Sequence, residues 1–326
     1  MKVKILGWGL SLIFLYFTFR DIKFESILNY LHVGLIKWVL LGFLFYLFFF
    51  ISRAYYQISN LNFILPNFRF KSSLRSIAVS QFYNSFLPAR LGEIARMNYL
   101  CKEENISKTS YLSFIFLEKV IDLVFMLILL LAAIVLGLFN LSEENNILIL
   151  FLFVSTLIVF IFIYIKFNES FLKLVLKLTP GSFKELIINL NKEAISGLNF
   201  LKTKKQVFKS IVLLTLSWGA MLLTFWAFSH HFIIRFGFPT YTPLILLISS
   251  CIAMAIPSAP AGAGTIHYGI YLSLLILNKQ AVIEHKQEVL SFIVVFHFLS
   301  FCLDFIGAGT LQFLLRNQTK GLTERT

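Results

Sequence analysis

Charge is what this chain has least of. Of its 326 residues 14% are charged and 58% hydrophobic, with a mean hydropathy of +0.81. A soluble domain carries about 25% charged residues, so a water-soluble globule is excluded and an all-α polytopic integral membrane protein is expected. Acidic residues are scarcer still, 16 against 29 Lys plus Arg, for a net charge of +13. In a soluble protein that excess would point to nucleic acid. Here the bases gather in a few loops beside apolar runs, as the positive-inside rule requires, and no nucleic-acid motif accompanies them. A nucleic-acid partner is therefore not expected.

Cysteine is nearly absent. Cys101, Cys251 and Cys302 are odd in number and include no Cys-x-x-Cys, so neither a disulfide framework nor a zinc site is supported. Ser-His-Asp, His-Glu-x-x-His and Walker sequences are also missing. No catalytic residue, metal or cofactor is expected, and a transporter is favoured over an enzyme. The first apolar run, Val3–Phe19, lacks a small-residue cleavage site before Arg20-Asp21 and reads as a retained helix.

What is present is a series of apolar runs near the roughly 20 residues needed to cross a bilayer. They are Val3–Phe19, Leu35–Ser52, Tyr111–Phe139, Ile147–Ile165, Val207–Phe228, Pro243–Ile256 and Gln287–Leu315. Two more segments are interrupted. Ser73–Leu100 contains Leu87-Pro-Ala-Arg-Leu-Gly-Glu93, and Ser258–Leu277 opens with Pro and Gly before a clean helical pattern. Nine Lys against three Glu between Lys166 and Lys209, and bases after the second run and near the C-terminus, put both termini on the cytoplasmic side of the plasma membrane. The expected topology is about eight crossings plus a re-entrant broken pair. It divides into a membrane domain over residues 1–316 and a polar cytoplasmic tail over 317–326. Within the lysine-rich loop, Phe171–Leu178 and Phe183–Leu190 show helical spacing suited to an anionic leaflet surface.

The interruptions are where chemistry is expected. Pro88 and Gly92 break a helix and free backbone groups that need partners at membrane depth. Arg90 and Arg96 offer planar donors matched to a phosphate, and Glu93 is the natural counter-charge when none is bound. An interfacial turn with an Arg–Glu pair would use the same residues. Glu118 and Asp122 lie four apart on one helical face and would balance charge, carry protons or simply end a helix at the surface. Pro257, Pro260, Gly262 and Gly264 forbid a regular helix until Thr265, placing Thr265 and His267 in the first turn of the helix that follows. His267, His297 and Asp304 are candidates for proton coupling, or for buried hydrogen bonds between helices. His297 and Asp304, seven apart, are expected on one face.

These runs resemble the family of the lysylphosphatidylglycerol synthase transmembrane region, also called flippase-like. Its Leu-Pro-x-Arg-x-Gly-Glu-x-x-Arg pattern is met by Leu87, Pro88, Arg90, Gly92, Glu93 and Arg96. Its Glu-Arg-x-x-Asp resembles Glu118 to Asp122, with Lys119 in place of Arg. Its Pro-x-x-Pro-Gly-Gly-x-Gly-x-x-Glu is similar to Pro257 to His267, with Ala261 for a Gly and His267 for the Glu. The resemblance implies a membrane domain that moves lipids between leaflets. Without the aminoacyltransferase domain that accompanies it in some members, lysyl transfer is not expected.

The reading is thus a lipid translocase for a phospholipid or polyprenyl-phosphate-linked lipid. Arg90, Arg96 and Gly92 would hold the head-group phosphate, and Glu93, Glu118 and Asp122 would balance charge. Pro88, Pro257, Pro260, Gly262, Gly264, Thr265 and His267 would line the cavity. The alternative is an accessory subunit or enzyme of lipid-linked sugar or cell-envelope synthesis. Expected partners are membrane lipids and a separately encoded glycosyltransferase or synthase.

Overall fold

The computed structural model describes residues 12–18, 20, 22–31, 33–62, 67–87, 91–135, 137, 167–197, 203–256 and 258–323. Among these residues every regular element is a helix. The site expectations at Pro88, Arg90 and Pro257 lie outside the described residues, as do the run at Ile147–Ile165 and most of Val3–Phe19.

In chain order the helices are α1 (Phe24–Tyr30), α2 (Ile36–Leu61), α3 (Phe70–Asn84), α4 (Gly92–Glu103) and α5 (Lys108–Val135). After the undescribed stretch come α6 (Asn168–Leu178), α7 (Gly181–Gly197), α8 (Lys204–Phe236) and α9 (Thr242–Ala255). The C-terminal part holds α10 (Thr265–Leu277), α11 (Lys279–Glu284), α12 (Lys286–Cys302) and α13 (Ala308–Thr323). A π-helical turn over Leu303–Gly307 joins the last two, and α13 carries the helix beyond residue 316.

Four helical segments among the described residues are long and apolar enough to cross a membrane: Ile36–Leu61, Lys204–Phe236, Pro260–Leu277 and Lys286–Leu315. The 33 residues of α8 span about 50 Å at 1.5 Å per residue, more than the ~30 Å hydrocarbon core. It outruns Val207–Phe228 at both ends because its flanks, Lys204-Lys-Gln206 and Ser229-His-His231, hold no helix breaker. By contrast α3 and α4 have 15 and 12 residues, about 22 and 18 Å, too short to cross singly.

The chain divides into two compact units. One comprises residues 1–56, 69–99 and 211–326, the other 57–68 and 100–210. In the first, α9 packs on α10, α10 and α1 on α12, and α3 on both the π turn and α13. Small residues permit the closest approach: a Cβ on Gly269 would meet Ala253 Cβ at 3.3 Å. Stacked aromatics fill the interior, with the Phe232 and Phe292 rings 4.0 Å apart and nearly parallel.

In the second unit α5 and α6 pack on α7. Buried amides and hydroxyls link its parts: Gln57 Nε2 donates to Tyr111 Oη at 3.2 Å, and Ser210 Oγ donates to Asn60 Oδ1 at 2.8 Å. The lysine-rich segment forms the two helices its spacing predicts. On α6 the apolar side chains Phe171, Leu174 and Leu178 stand exposed, and none of its residues is buried.

Candidate functional site

The first interruption folds as its composition dictates. α3 ends at Asn84 and α4 begins at Gly92, with Glu93 in its first turn, where a carboxylate favours the helix dipole. Gly92 sits so close to α3 that a Cβ would lie 2.1 Å from Ser80 O and 2.5 Å from Asn84 Oδ1. Its N–H donates to Asn84 Oδ1 at 2.9 Å, so the amide side chain closes the break by satisfying an unpaired donor of the new helix. The glycine is therefore required for contact between the two short helices. One turn on, Arg96 is buried at 3% exposure and its Nη1 lies 3.4 Å from Glu93 Oε2.

A cavity of about 520 Å³ lies between α3, α4 and α13. Its polar lining comes from Arg75, Tyr83, Asn98, Tyr99 and Gln312, with aliphatic side chains between them. The Arg75 guanidinium carbon sits 4.6 Å from the centre of the Tyr99 ring, within cation–π range. Leu87 and Leu91, which flank the undescribed Pro88–Arg90 in sequence, both line this space. Sequence reasoning used Arg75 only as an orientation signal and passed over the other four. The legible trace was a four-residue stripe along α3: Arg75, Val79, Tyr83 and, just past its end, Leu87.

The second interruption also folds as expected. A 3₁₀ turn over Pro260–Gly262 precedes α10, which starts at Thr265. Three positive-φ residues reverse the chain: Ala261 at 56°, Gly262 at 71° and Gly264 at 88°. Thr265 Oγ1 donates to Gly262 O at 3.0 Å. His267, at the third helical position, accepts from the Gly264 N–H at Nδ1, 3.1 Å away. Its Nε2 faces His297 Nδ1 at 2.9 Å, and His297 Nε2 lies 3.0 Å from Ala261 O. The structure thus joins His267 and His297, two buried residues that sequence spacing left apart.

Asp304 occupies a different neighbourhood. It lies in the π turn and accepts from Tyr46 Oη, and from Gln81 Nε2 at 3.5 Å. His297 and Asp304, seven residues apart, thus have two separate sets of partners. In the second unit Glu118 is buried and Asp122 partly so, one turn apart on α5.

A bundle of apolar helices, two of its segments interrupted and each interruption holding buried polar groups, defines an all-α polytopic membrane protein. The chain belongs to the family of the lysylphosphatidylglycerol synthase transmembrane region, whose model matches residues 4–308. That family is associated with membrane lipids. No curated protein and no solved structure matches the chain.

Proposed function

We propose that this protein moves a phosphate-bearing lipid, a phospholipid or a polyprenyl-phosphate-linked lipid, from one leaflet to the other. The observation that carries the reading is the buried Arg96 paired with a partly buried Glu93, held just past a helix break in a chain with few charges. A buried guanidinium needs an anion beside it. Glu93 supplies one at 3.4 Å, and a lipid phosphate reaching Arg96 would replace one anion by another without leaving the cation bare. Arg90, six residues earlier, would share the phosphate; Glu118 and Asp122 would contribute to the charge balance of the domain.

Gly92 enters this scheme through its packing, since Asn84 occupies its N–H. The backbone from Pro260 to Gly264 would line the path. The distribution of basic loops supports a plasma-membrane location with both termini cytoplasmic.

The test is exchange of head-group-labelled lipid between leaflets of proteoliposomes, comparing the parent chain with Arg90→Ala. Exchange that requires Arg90, in a variant that remains monodisperse, supports the translocase. Folded protein that exchanges no phosphate-bearing lipid overturns it in favour of an accessory subunit or enzyme of lipid-linked sugar or envelope synthesis.

A further inference from the structure

The cavity beside α3 combines three chemistries. Arg75 is the one charged side chain among its described lining residues. Gln312 contributes a buried amide oxygen that has no hydrogen-bond partner among the described residues. The remaining walls include Val79, Leu87 and Leu91. At about 520 Å³ the space falls within the range of ligand pockets, roughly 300–1,000 Å³.

Each feature restricts the occupant. Arg75, within cation–π range of Tyr99, brings to the cavity a planar guanidinium, the group suited to gripping two oxygens of a phosphate. An acceptor with no donor asks the ligand to bring an O–H or N–H, because a buried unpaired carbonyl is costly and a bound donor removes that cost. Aliphatic walls next to these groups favour a molecule that is polar at one end and hydrocarbon at the other.

We infer that this cavity binds the head group of a phosphodiester lipid that carries a hydroxyl donor. The phosphate lies on Arg75, a head-group hydroxyl donates to Gln312 Oε1, and the first carbons of the lipid run along Leu87 and Leu91. The inference rests on the lipid-translocating reading and adds to it a head-group chemistry and two residues that reading does not use. It also gives Leu87 and Leu91, the sequence flanks of Pro88–Arg90, a role as apolar wall.

The experiment measures retention of defined lipids by the purified full chain in nanodiscs, using phosphatidylglycerol and phosphatidylmethanol. Both are anionic phosphodiesters, and only the first has hydroxyls. The parent chain is expected to retain phosphatidylglycerol several-fold better, and Gln312→Leu to erase that preference. Arg75→Gln is expected to weaken both lipids by about tenfold, the loss of one charge-assisted contact. Arg75→Lys, which keeps the charge and loses the planar fork, should fall between.

Glycerol 3-phosphate serves as the soluble competitor. Competition as effective as that of the lipid would make this a site for free phosphate esters and overturn the lipid assignment. Unchanged retention by folded Arg75→Gln and Gln312→Leu would overturn the cavity assignment. Lipid binding that depends on Arg75 with no leaflet exchange sinks the translocase and leaves the site standing. Exchange with no dependence on Arg75 or Gln312 does the reverse.

Discussion

His267 Nε2 and His297 Nδ1 lie 2.9 Å apart, and the neighbours of each ring decide which nitrogen carries the hydrogen. Ala261 O can only accept, so His297 Nε2 is the donor to it. That leaves His297 Nδ1 to accept from His267 Nε2–H, while His267 Nδ1 accepts from the Gly264 amide. Each of the four ring nitrogens thus has a partner, with both imidazoles neutral and in the same tautomer.

That arrangement is directly measurable. In protein labelled with ¹⁵N at histidine, the resonances of His267 and His297 at neutral pH are expected to be those of Nε2–H imidazoles, each assigned by its loss in the Gln variant. An imidazolium signature from either residue would refute the relay and restore both as candidates for proton carriage.

Removing one ring should leave two buried groups without partners. His297→Phe strands Ala261 O and His267 Nε2–H, each costing about 1–3 kcal/mol. A fall in the unfolding midpoint in detergent is expected, larger than that for Phe298→Leu on the exposed side of the same helix. Equal midpoints would show that the relay adds nothing to stability.

Ala261 is strained where a glycine would not be. Its φ of 56° lies in the left-handed region, unfavourable for an L-residue by roughly 1–2 kcal/mol. Ala261→Gly is expected to raise the midpoint, by a net of about 1 kcal/mol once the greater freedom of the unfolded glycine is subtracted. A lower midpoint would mean that the methyl group packs usefully there.

Gly92→Ala should act in the opposite sense. The new methyl would overlap the Ser80 carbonyl and the Asn84 amide, and backbone cannot move aside as a side-chain tip can. Overpacking of this kind costs about 1–3 kcal/mol. The expected readout is reduced folded yield and a lower midpoint, with Asn84→Ala giving a smaller loss through the hydrogen bond alone. Parent-like stability in Gly92→Ala would show that α3 and α4 separate easily.

Tyr46→Phe isolates the contact in the π turn. It removes the hydroxyl donor to Asp304 while keeping the Gln81 Nε2 contact at 3.5 Å. A cycle with Asp304→Asn should give a coupling energy of about 1–3 kcal/mol. Additive effects would show that the contact carries no energy of its own.

Breakers were the most legible feature of the sequence. Proline and glycine act on the backbone within a turn or two, so the break before Gly92 and the helix start at Thr265 could both be read from residues beside them. The Arg96–Glu93 pair was legible for the same reason, being three residues apart on one helix. What escaped were relationships carried by packing between distant segments. His267 finds His297 across thirty residues, and the cavity assembles α3, α4 and α13. The separate partners of His297 and Asp304, the latter inside a π turn, escaped for the same reason.

That π turn has a further consequence for the last helix. Each residue advances an α-helix by about 100° about its axis, and a π turn accommodates one residue more than the α-helix around it. The turn over Leu303–Gly307 therefore sets the angular phase of all that follows, including the side of α13 on which Gln312 stands. Excising a single residue there would leave every side chain of α13 in place along the sequence while rotating Gln312 about a quarter-turn off the cavity.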